Sequence, residues 1–305
     1  MLYDLAIIGG GPGGVTAGIY AARKKIKTVL ITDTFGGQSL VSDDIQNWIG
    51  TKSISGFDLA KNLEEHLRAQ EGVEIVDGDL VLKVEQAGEN FKLETKNGKT
   101  IETKTVLVVA GSRRKRLNVP GEAKFEGKGV VYCSTCDAPL FNEKQVAVLG
   151  GGNAGLEAVI DLFPYASKIY LIHRGEMLKG DPATQEKIRI HPKVEIILNA
   201  ETQEILGDDF VSGLKYKDKA TGEVKELALQ GVFVEIGIQP NSEFIKNLVK
   251  TNDFGEVIID PKTQQTSCKG IWAAGDITDV LYKQNNISAG DAIKAVLNIY
   301  GYLKK

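Results

Sequence analysis

A strand, a glycine turn and a helix occur in that order twice in this chain, and the repetition limits the fold more than any other feature. The first copy runs from Leu5-Ala6-Ile7-Ile8 through Gly9-Gly10-Gly11-Pro12-Gly13-Gly14 into a helix expected over 15–23. Small Ala17, Gly18, Ala21 and Ala22 on that helix permit close packing. A strand over 28–32 then ends at Asp33, about 20 residues past the turn, where an acid can accept hydrogen bonds from ribose hydroxyls. The second copy runs from Val146–Leu149 through Gly150-Gly151-Gly152-Asn153-Ala154-Gly155 into a helix over 156–162 and a strand over 168–172. In each G-x-G-x-x-G, glycine permits a tight strand-to-helix turn. The middle glycine (Gly11, Gly152) has no Cβ, so backbone can approach a pyrophosphate at the helix N-terminus. The pattern implies an α/β fold of two Rossmann-like three-layer nucleotide-binding domains, the second inserted into the first. The joints fall near Arg116 and Pro240, giving one domain over 1–116 and 241–305 and another over 117–240.

Size and charge agree with this plan. At roughly 150 residues per domain, 305 residues make two. The formal net charge of −3 and the lack of a long basic run give no electrostatic case for nucleic acid. No stretch is apolar enough to span a bilayer. Leu2 to Ile8 reads as a first strand and not a signal peptide, so a cytoplasmic location is expected. Residues 73–87 and 91–105 alternate and break at Asn97-Gly98, a hairpin signal. Val106–Val109 is a buried strand, a second meander spans 194–229 with a turn at Thr221-Gly222, and a further strand covers 232–236. Gly237 to Asn241 reads as a crossing linker. The tail gives a strand over 270–274, Gly275-Asp276, and a closing helix over 288–303. A carboxylate at Asp276 can bond ribityl hydroxyls, and the helix behind it offers its N-terminus to a flavin carbonyl or phosphate.

Between the two glycine turns lies Cys133-Ser134-Thr135-Cys136, followed by Asp137. A CxxC alone is half a zinc site, a redox dithiol or an accident. A structural zinc ion takes about four ligands. Only Cys268 and three histidines remain outside the pair, so no metal site is expected and Cys268 reads as plain packing. In a reducing compartment a CxxC is more often catalytic or metal-binding than structural. A CxxC also lowers one thiol pKa, so that thiolate exists near neutral pH.

Taken together the chain resembles, over essentially its full length, the low-molecular-weight thioredoxin reductases and the flavoprotein component of alkyl hydroperoxide reductase. The resemblance rests on both glycine turns, Gly36-Gly37-Gln38, Asn47-Trp48-Ile49-Gly50, Ala110-Gly111-Ser112, Cys133 to Asp137, Ala274-Gly275-Asp276 and Tyr282-Lys283-Gln284. It implies FAD at the first cradle (Gly9, Gly11, Pro12, Gly14, Asp33, Ala110, Gly111), with Gln38 and Asn47 near the flavin, Asp276 on the ribityl chain and Gln284 near the ring. It implies NADH or NADPH at the second cradle (Gly150, Gly152, Asn153, Ala154, Gly155). Cys136 is then the sulfur that faces the flavin, Cys133 the one that attacks a partner's disulfide, and Asp137 the proton donor and acceptor. Ala138 stands where these reductases commonly have glycine.

The second cradle departs from the NADPH-using pattern. No acid ends its second strand, which runs into His173-Arg174-Gly175-Glu176-Met177-Leu178-Lys179. NADPH-using relatives carry two adjacent arginines after the histidine and a third downstream. Here Arg174 is kept, Gly175 replaces the second and Lys179 stands at the third, so one planar bidentate donor is missing. Residues 176–187 are similar to the peroxide-reductase relatives, which use NADH. NADH is therefore expected to serve comparably to NADPH or better. The resemblance further implies a homodimer through the FAD domains, without an added dimerisation domain. It also implies a small domain that rotates on its joints, and a separate thioredoxin-like, glutaredoxin-like or peroxiredoxin-system partner. Two other readings stay open: a ferredoxin- or flavodoxin-fed flavin disulfide reductase, and a non-catalytic FAD-binding redox sensor.

Overall fold

A computed structural model describes residues 1–42 and 44–304. The chain forms two compact units, one of Met1–Arg113 with Gln239–Lys305 and one of Arg114–Ile238. The second is thus inserted into the first. The two crossings, Ser112–Arg114 and Ile238–Pro240, pair as a two-stranded sheet.

The first unit is built on a seven-stranded sheet. Leu2–Gly10 is central and pairs in parallel with Thr28–Phe35 on one side and Thr100–Val108 on the other. Its apolar run is buried on both faces, under helices on one and under the antiparallel strands and the 244–259 segment on the other. Leu5 and Ile7 enter one core with Val15, Leu63, Leu67, Trp272 and Ile299, while Ala6 and Ile8 enter another with Val106, Ile245 and Ile271. The following helix, Pro12–Arg23, begins earlier than the apolar pattern suggests, because proline is preorganised for the first helical turn. The expected alternating segment over 73–87 is in fact two strands. Val73–Asp77 joins the parallel sheet beside Thr28–Phe35, and only Val81–Ala87 belongs to the meander, antiparallel to Asn90–Thr95. The hairpin turn at Asn97-Gly98 joins Asn90–Thr95 to Thr100–Val108. That last strand is continuous with Val106–Val109 and shares one edge between two partners, the meander at its start and Ile271–Ala273 at its end.

The second unit repeats the plan with a five-stranded parallel sheet. Its order is Val194–Ile197, Lys168–Ile172, Gln145–Leu149, Gly231–Val234, Val130–Val131. Sequence alternation groups Val194–Ile197 with the meander, but the strand completes this sheet instead. The antiparallel meander is limited to three strands between Ala200 and Ala228. Cores again lie on both faces. A helix not foreseen from the sequence, Pro182–Ile190, is started by Asp181, whose carboxylate accepts the Thr184 N–H at 2.8 Å. A buried network fixes the path from the crossing to the CxxC. Glu122 accepts the backbone N–H groups of Leu117 and Asn118 at 2.9 and 2.7 Å and the Tyr132 hydroxyl at 2.9 Å. Arg116 forks onto Glu126 and donates to Tyr132 at 3.1 Å. Burial and the Glu122 carboxylate push the Tyr132 phenol well above its usual range. Among the described residues no helix is long and apolar enough to cross a membrane.

Candidate active site

The two glycine turns are geometrically alike. A Cβ on Gly14 would lie 1.8 Å from the Gly9 carbonyl oxygen, and one on Gly155 would lie 1.9 Å from that of Gly150. Helix and strand pack there too closely for any side chain. Over Gly11 and Gly152, by contrast, a Cβ would meet nothing within 4 Å. The middle of each turn therefore faces open space, with the first N–H groups of Pro12–Arg23 or Asn153–Leu162 beside it. That is the shape a pyrophosphate fills.

In the first unit the structure draws several separated segments together. The exposed Asp33 lies near the end of Thr28–Phe35. The closing helix starts at Asn285, three residues earlier than expected. Its first turn is tied to the 39–49 segment: Asn285 Nδ2 donates to Ser39 Oγ at 3.0 Å and Asn286 Nδ2 to the Asn47 carbonyl at 2.7 Å. Asn47 Nδ2 donates to Gln284 Oε1 at 3.2 Å, so two residues 237 positions apart share one place. Gln38 lies in a 3-10 turn over Gly37–Val41. Ser288 bridges the fingerprint and the tail, since Cβ atoms on Gly13 and Gly275 would meet its Oγ at 2.5 and 2.3 Å. Asp276, half-buried, lies in the Gly275–Ile277 turn. Ala110 and Gly111 are pinned by Asn241, whose Nδ2 and backbone N–H donate to their carbonyls at 2.8 and 3.0 Å. Asn241, Asn285, Asn286 and Ser288 escape a reading of the sequence, because polar residues at helix starts and crossings carry no spacing signal.

In the second unit the loop after Lys168–Ile172 folds onto its cradle. Asn153 Oδ1 accepts the Asp181 N–H at 2.7 Å, and the Lys179 N–H reaches the Gly151 carbonyl at 2.6 Å. The His173 ring lies against Gly151 and Gly175, where added Cβ atoms would come within 2.6 Å of Cγ and 2.9 Å of Nε2. Burial, then the Lys179 and Arg174 charges, lower its pKa and favour the neutral ring. Arg174 and Lys179 are both exposed. A third cation joins them: Lys219, from the turn between the last two strands of the meander, donates to the Arg174 carbonyl at 3.4 Å. Its distance in sequence hides it.

Cys133 and Cys136 form a disulfide with Cα atoms 5.3 Å apart. Cys133 caps the short helix Ser134–Asp137, and both sulfur-bearing residues are half-buried. Asp161 holds the turn, accepting the Ser134 hydroxyl at 2.8 Å and that of Thr135 at 3.4 Å. Asp161 lies on Asn153–Leu162, the helix that begins at the second cradle. One element thus positions both the nucleotide turn and the disulfide. Ala138 is buried with φ −52°, an ordinary helical conformation, so nothing in its backbone calls for glycine. Cys268 is free and half-buried, and burial pushes its thiol pKa up.

Two dinucleotide cradles in one chain, one of them tied through Asp161 to a disulfide turn, are the equipment of an oxidoreductase that moves electron pairs between nucleotides and sulfur. The chain matches the pyridine nucleotide-disulphide oxidoreductase family over residues 3–293 and belongs to it. It is 42% identical over 301 residues to a protein of Bacillus subtilis (strain 168) named NADH dehydrogenase, covering 99% of this chain and 58% of that protein. It is 41% identical over 305 residues to an alkyl hydroperoxide reductase component of Escherichia coli (strain K12), with the same coverages of 99% and 58%. The chain therefore spans less than two thirds of these curated relatives. Thioredoxin reductase from Streptococcus pyogenes MGAS5005 superposes with a TM-score of 0.93 at 34% identity, covering 99% of this chain and 98% of that one. The expected resemblance and the two Rossmann-like domains are borne out. The family's cofactors are FAD and NAD(P)H, and the open middle of each cradle fits a dinucleotide.

Proposed function

We propose that this protein reduces the disulfide of a small thioredoxin-like or glutaredoxin-like protein, using NADH or NADPH and the Cys133–Cys136 pair. The carrying observation is the disulfide itself, formed at the head of a helix that Asp161 ties to the second cradle. FAD, when bound, supplies the two-electron relay between nicotinamide and sulfur. Gly11, Pro12 and Gly14 would hold its pyrophosphate, Asp33 its ribose, and Ala110, Gly111 and Asp276 its middle. Gln38 and the Asn47–Gln284 pair would lie near its ring. Gly152, Asn153, Ala154 and Gly155 would hold the nicotinamide dinucleotide.

Once the pair is reduced, Cys133 as thiolate attacks the partner's disulfide. The resulting mixed disulfide is resolved by Cys136. Each sulfur that leaves must be protonated, and Asp137, on the same turn, would exchange that proton.

The second cradle supports use of NADH comparably to NADPH or better. Gly175 supplies no guanidinium, and burial of the His173 ring beside it lowers that ring's pKa and disfavours a positive charge there. The similarity to a protein named NADH dehydrogenase points the same way. A homodimer through the first unit goes with this reading, and the exposed Ile49, Leu281 and Tyr282 of that unit suit a covered surface.

Anaerobic absorbance titration of the purified protein with each nicotinamide, followed by addition of candidate thioredoxins, tests the proposal. Bleaching of the flavin and its reoxidation by a partner are expected. A protein that takes up no flavin, or one whose disulfide turnover survives loss of both cysteines, overturns it. A hundredfold preference for NADPH in steady-state kinetics overturns the nucleotide assignment. A flavin that stays yellow with both nicotinamides favours a ferredoxin- or flavodoxin-fed reductase.

A further inference from the structure

The CxxC turn carries a buried acid that the reaction above does not use. Glu235 follows the wholly buried strand Gly231–Val234 and is itself 8% exposed. The neighbouring strand Val130–Val131 runs parallel to that strand, with Val130 opposite Val232 and Val131 opposite Phe233, so Glu235 comes level with the start of the CxxC turn, within reach of the Ser134 backbone N–H. Arg114, from the crossing strand, faces it with a positive charge. Asp161, from the helix of the second cradle, and Asp137, from the CxxC helix, face it with negative ones.

The fold does not require an acid here, and the chain supplies its own control. In the first unit the equivalent position is Val109. Its N–H donates to Ile8 as that of Glu235 donates to Leu149, each at 2.9 Å. A Cβ on Gly9 would meet the Val109 carbonyl, just as one on Gly150 would meet that of Glu235. One site in a duplicated architecture thus holds a buried valine where no disulfide lies, and a buried glutamate where one does.

We propose that Glu235 is a positioning residue for the dithiol: its carboxyl holds the Ser134 N–H, and its ionisation sets how readily Cys133 and Cys136 yield a thiolate. This rests on the reading of that pair as the working redox couple. Opening the disulfide takes two electrons and one proton to give one thiol and one thiolate. The thiolate is a new negative charge in a turn already facing Asp137 and Asp161. With Glu235 protonated that charge is tolerated. With Glu235 ionised, a second proton stays on sulfur instead. Burial, chiefly, raises the Glu235 pKa to about 7, so this exchange falls in the range where thiolate chemistry runs.

The test is the rate of iodoacetamide alkylation of Cys133 and Cys136 in the reduced holoprotein between pH 5.5 and 9, read peptide by peptide so that Cys268 is counted separately. Glu235→Gln keeps an acceptor for Ser134 and removes the charge. It is expected to lower the alkylation midpoint by about one pH unit, roughly a tenfold rate gain on the rising limb. Glu235→Val, copying the first unit, is expected to lower it as well. The unmodified protein is expected to show a second inflection near pH 7. Superimposable profiles for wild type and Glu235→Gln overturn the proposal, and if the variants fail to fold, a single-group profile in the wild type does so. The readout is sulfur chemistry alone, so a protein that reduced no partner would refute the proposed function and leave this result standing.

Discussion

The two cradles of this protein share a turn and differ in nearly everything that touches it. Both put a glycine against a carbonyl oxygen and leave the middle of the turn open. Near the end of the next strand the first offers the carboxylate of Asp33, and just past that strand the second offers the His173 imidazole, its pKa lowered, with Arg174, Lys179 and Lys219 around the same loop. The strand on the other side is followed by Val109 in one case and Glu235 in the other. The turn answers to what all dinucleotides have in common, the pyrophosphate, and so it can be duplicated unchanged. Its flanks answer to what differs, the ribose end and the group to be reduced.

The sharpest way to break the likeness is at the close contacts. Gly14→Ala and Gly155→Ala each force a methyl group into a backbone oxygen that cannot move without the strand. Each is expected to destabilise its own unit by about 3 kcal/mol or more. The two should then part company. Gly14→Ala is expected to be purified colourless, and Gly155→Ala to keep its flavin but lose reduction by nicotinamide. Gly11→Ala and Gly152→Ala, with open space above them, should unfold, compared as apoproteins, at the wild-type temperature and lose only nucleotide affinity. Thermal unfolding and flavin absorbance separate these outcomes, and equal losses of stability at Gly11 and Gly14 would contradict the geometry.

The next effect comes from the Val109–Glu235 difference. Glu235 is held protonated more strongly in the folded protein, with its pKa raised from 4.5 to about 7. Between those values the native state binds more proton than the unfolded chain, so its contribution to stability falls as pH rises, reaching a cost of about 3 kcal/mol above pH 7. Glu235→Gln removes that cost. Urea unfolding should show a gain of up to this size at pH 8 that vanishes near pH 4.5. A gain that does not depend on pH would mean the carboxyl is not the cause.

The sequence makes the repeated turns, their insertion order and the CxxC readable, because glycines under steric demand and paired cysteines leave fixed spacings. It also exposes Asp33 and the Asn47 and Gln284 segments, though only the fold shows that the last two meet. Val73–Asp77 and Val194–Ile197 read as meander strands because alternation looks the same in a sheet-edge strand and a hairpin strand. Partner choice is a long-range property that the local pattern does not record. The helix at Pro182 carries too few buried residues to show a helical period, since Ile188 alone is buried. Lys219, Ser288 and Glu235 are hidden for a different reason. Each acts through one contact made by a distant loop or strand end, and a single residue of common type has no pattern.

The smallest effects lie at the nucleotide's distal end, and they sharpen the comparison most. Gly175→Arg restores the planar donor that NADPH-using relatives carry, but its Cβ would lie 2.9 Å from His173 Nε2. The ring must therefore shift before the guanidinium can serve. Once it does, one bidentate contact to a phosphate is worth about tenfold in kcat/KM for NADPH. Lys219 is exposed, and a single screened lysine contributes less. Lys219→Ala is expected to raise KM for NADPH about threefold and to leave NADH unchanged, because only the phosphorylated ribose presents a charge there. Steady-state kinetics with both nucleotides at low ionic strength decides it. If Lys219→Ala weakens both nucleotides alike, Lys219 serves the loop through the Arg174 carbonyl and not the ligand. The selectivity of the second cradle would then rest on Arg174 and Lys179 alone.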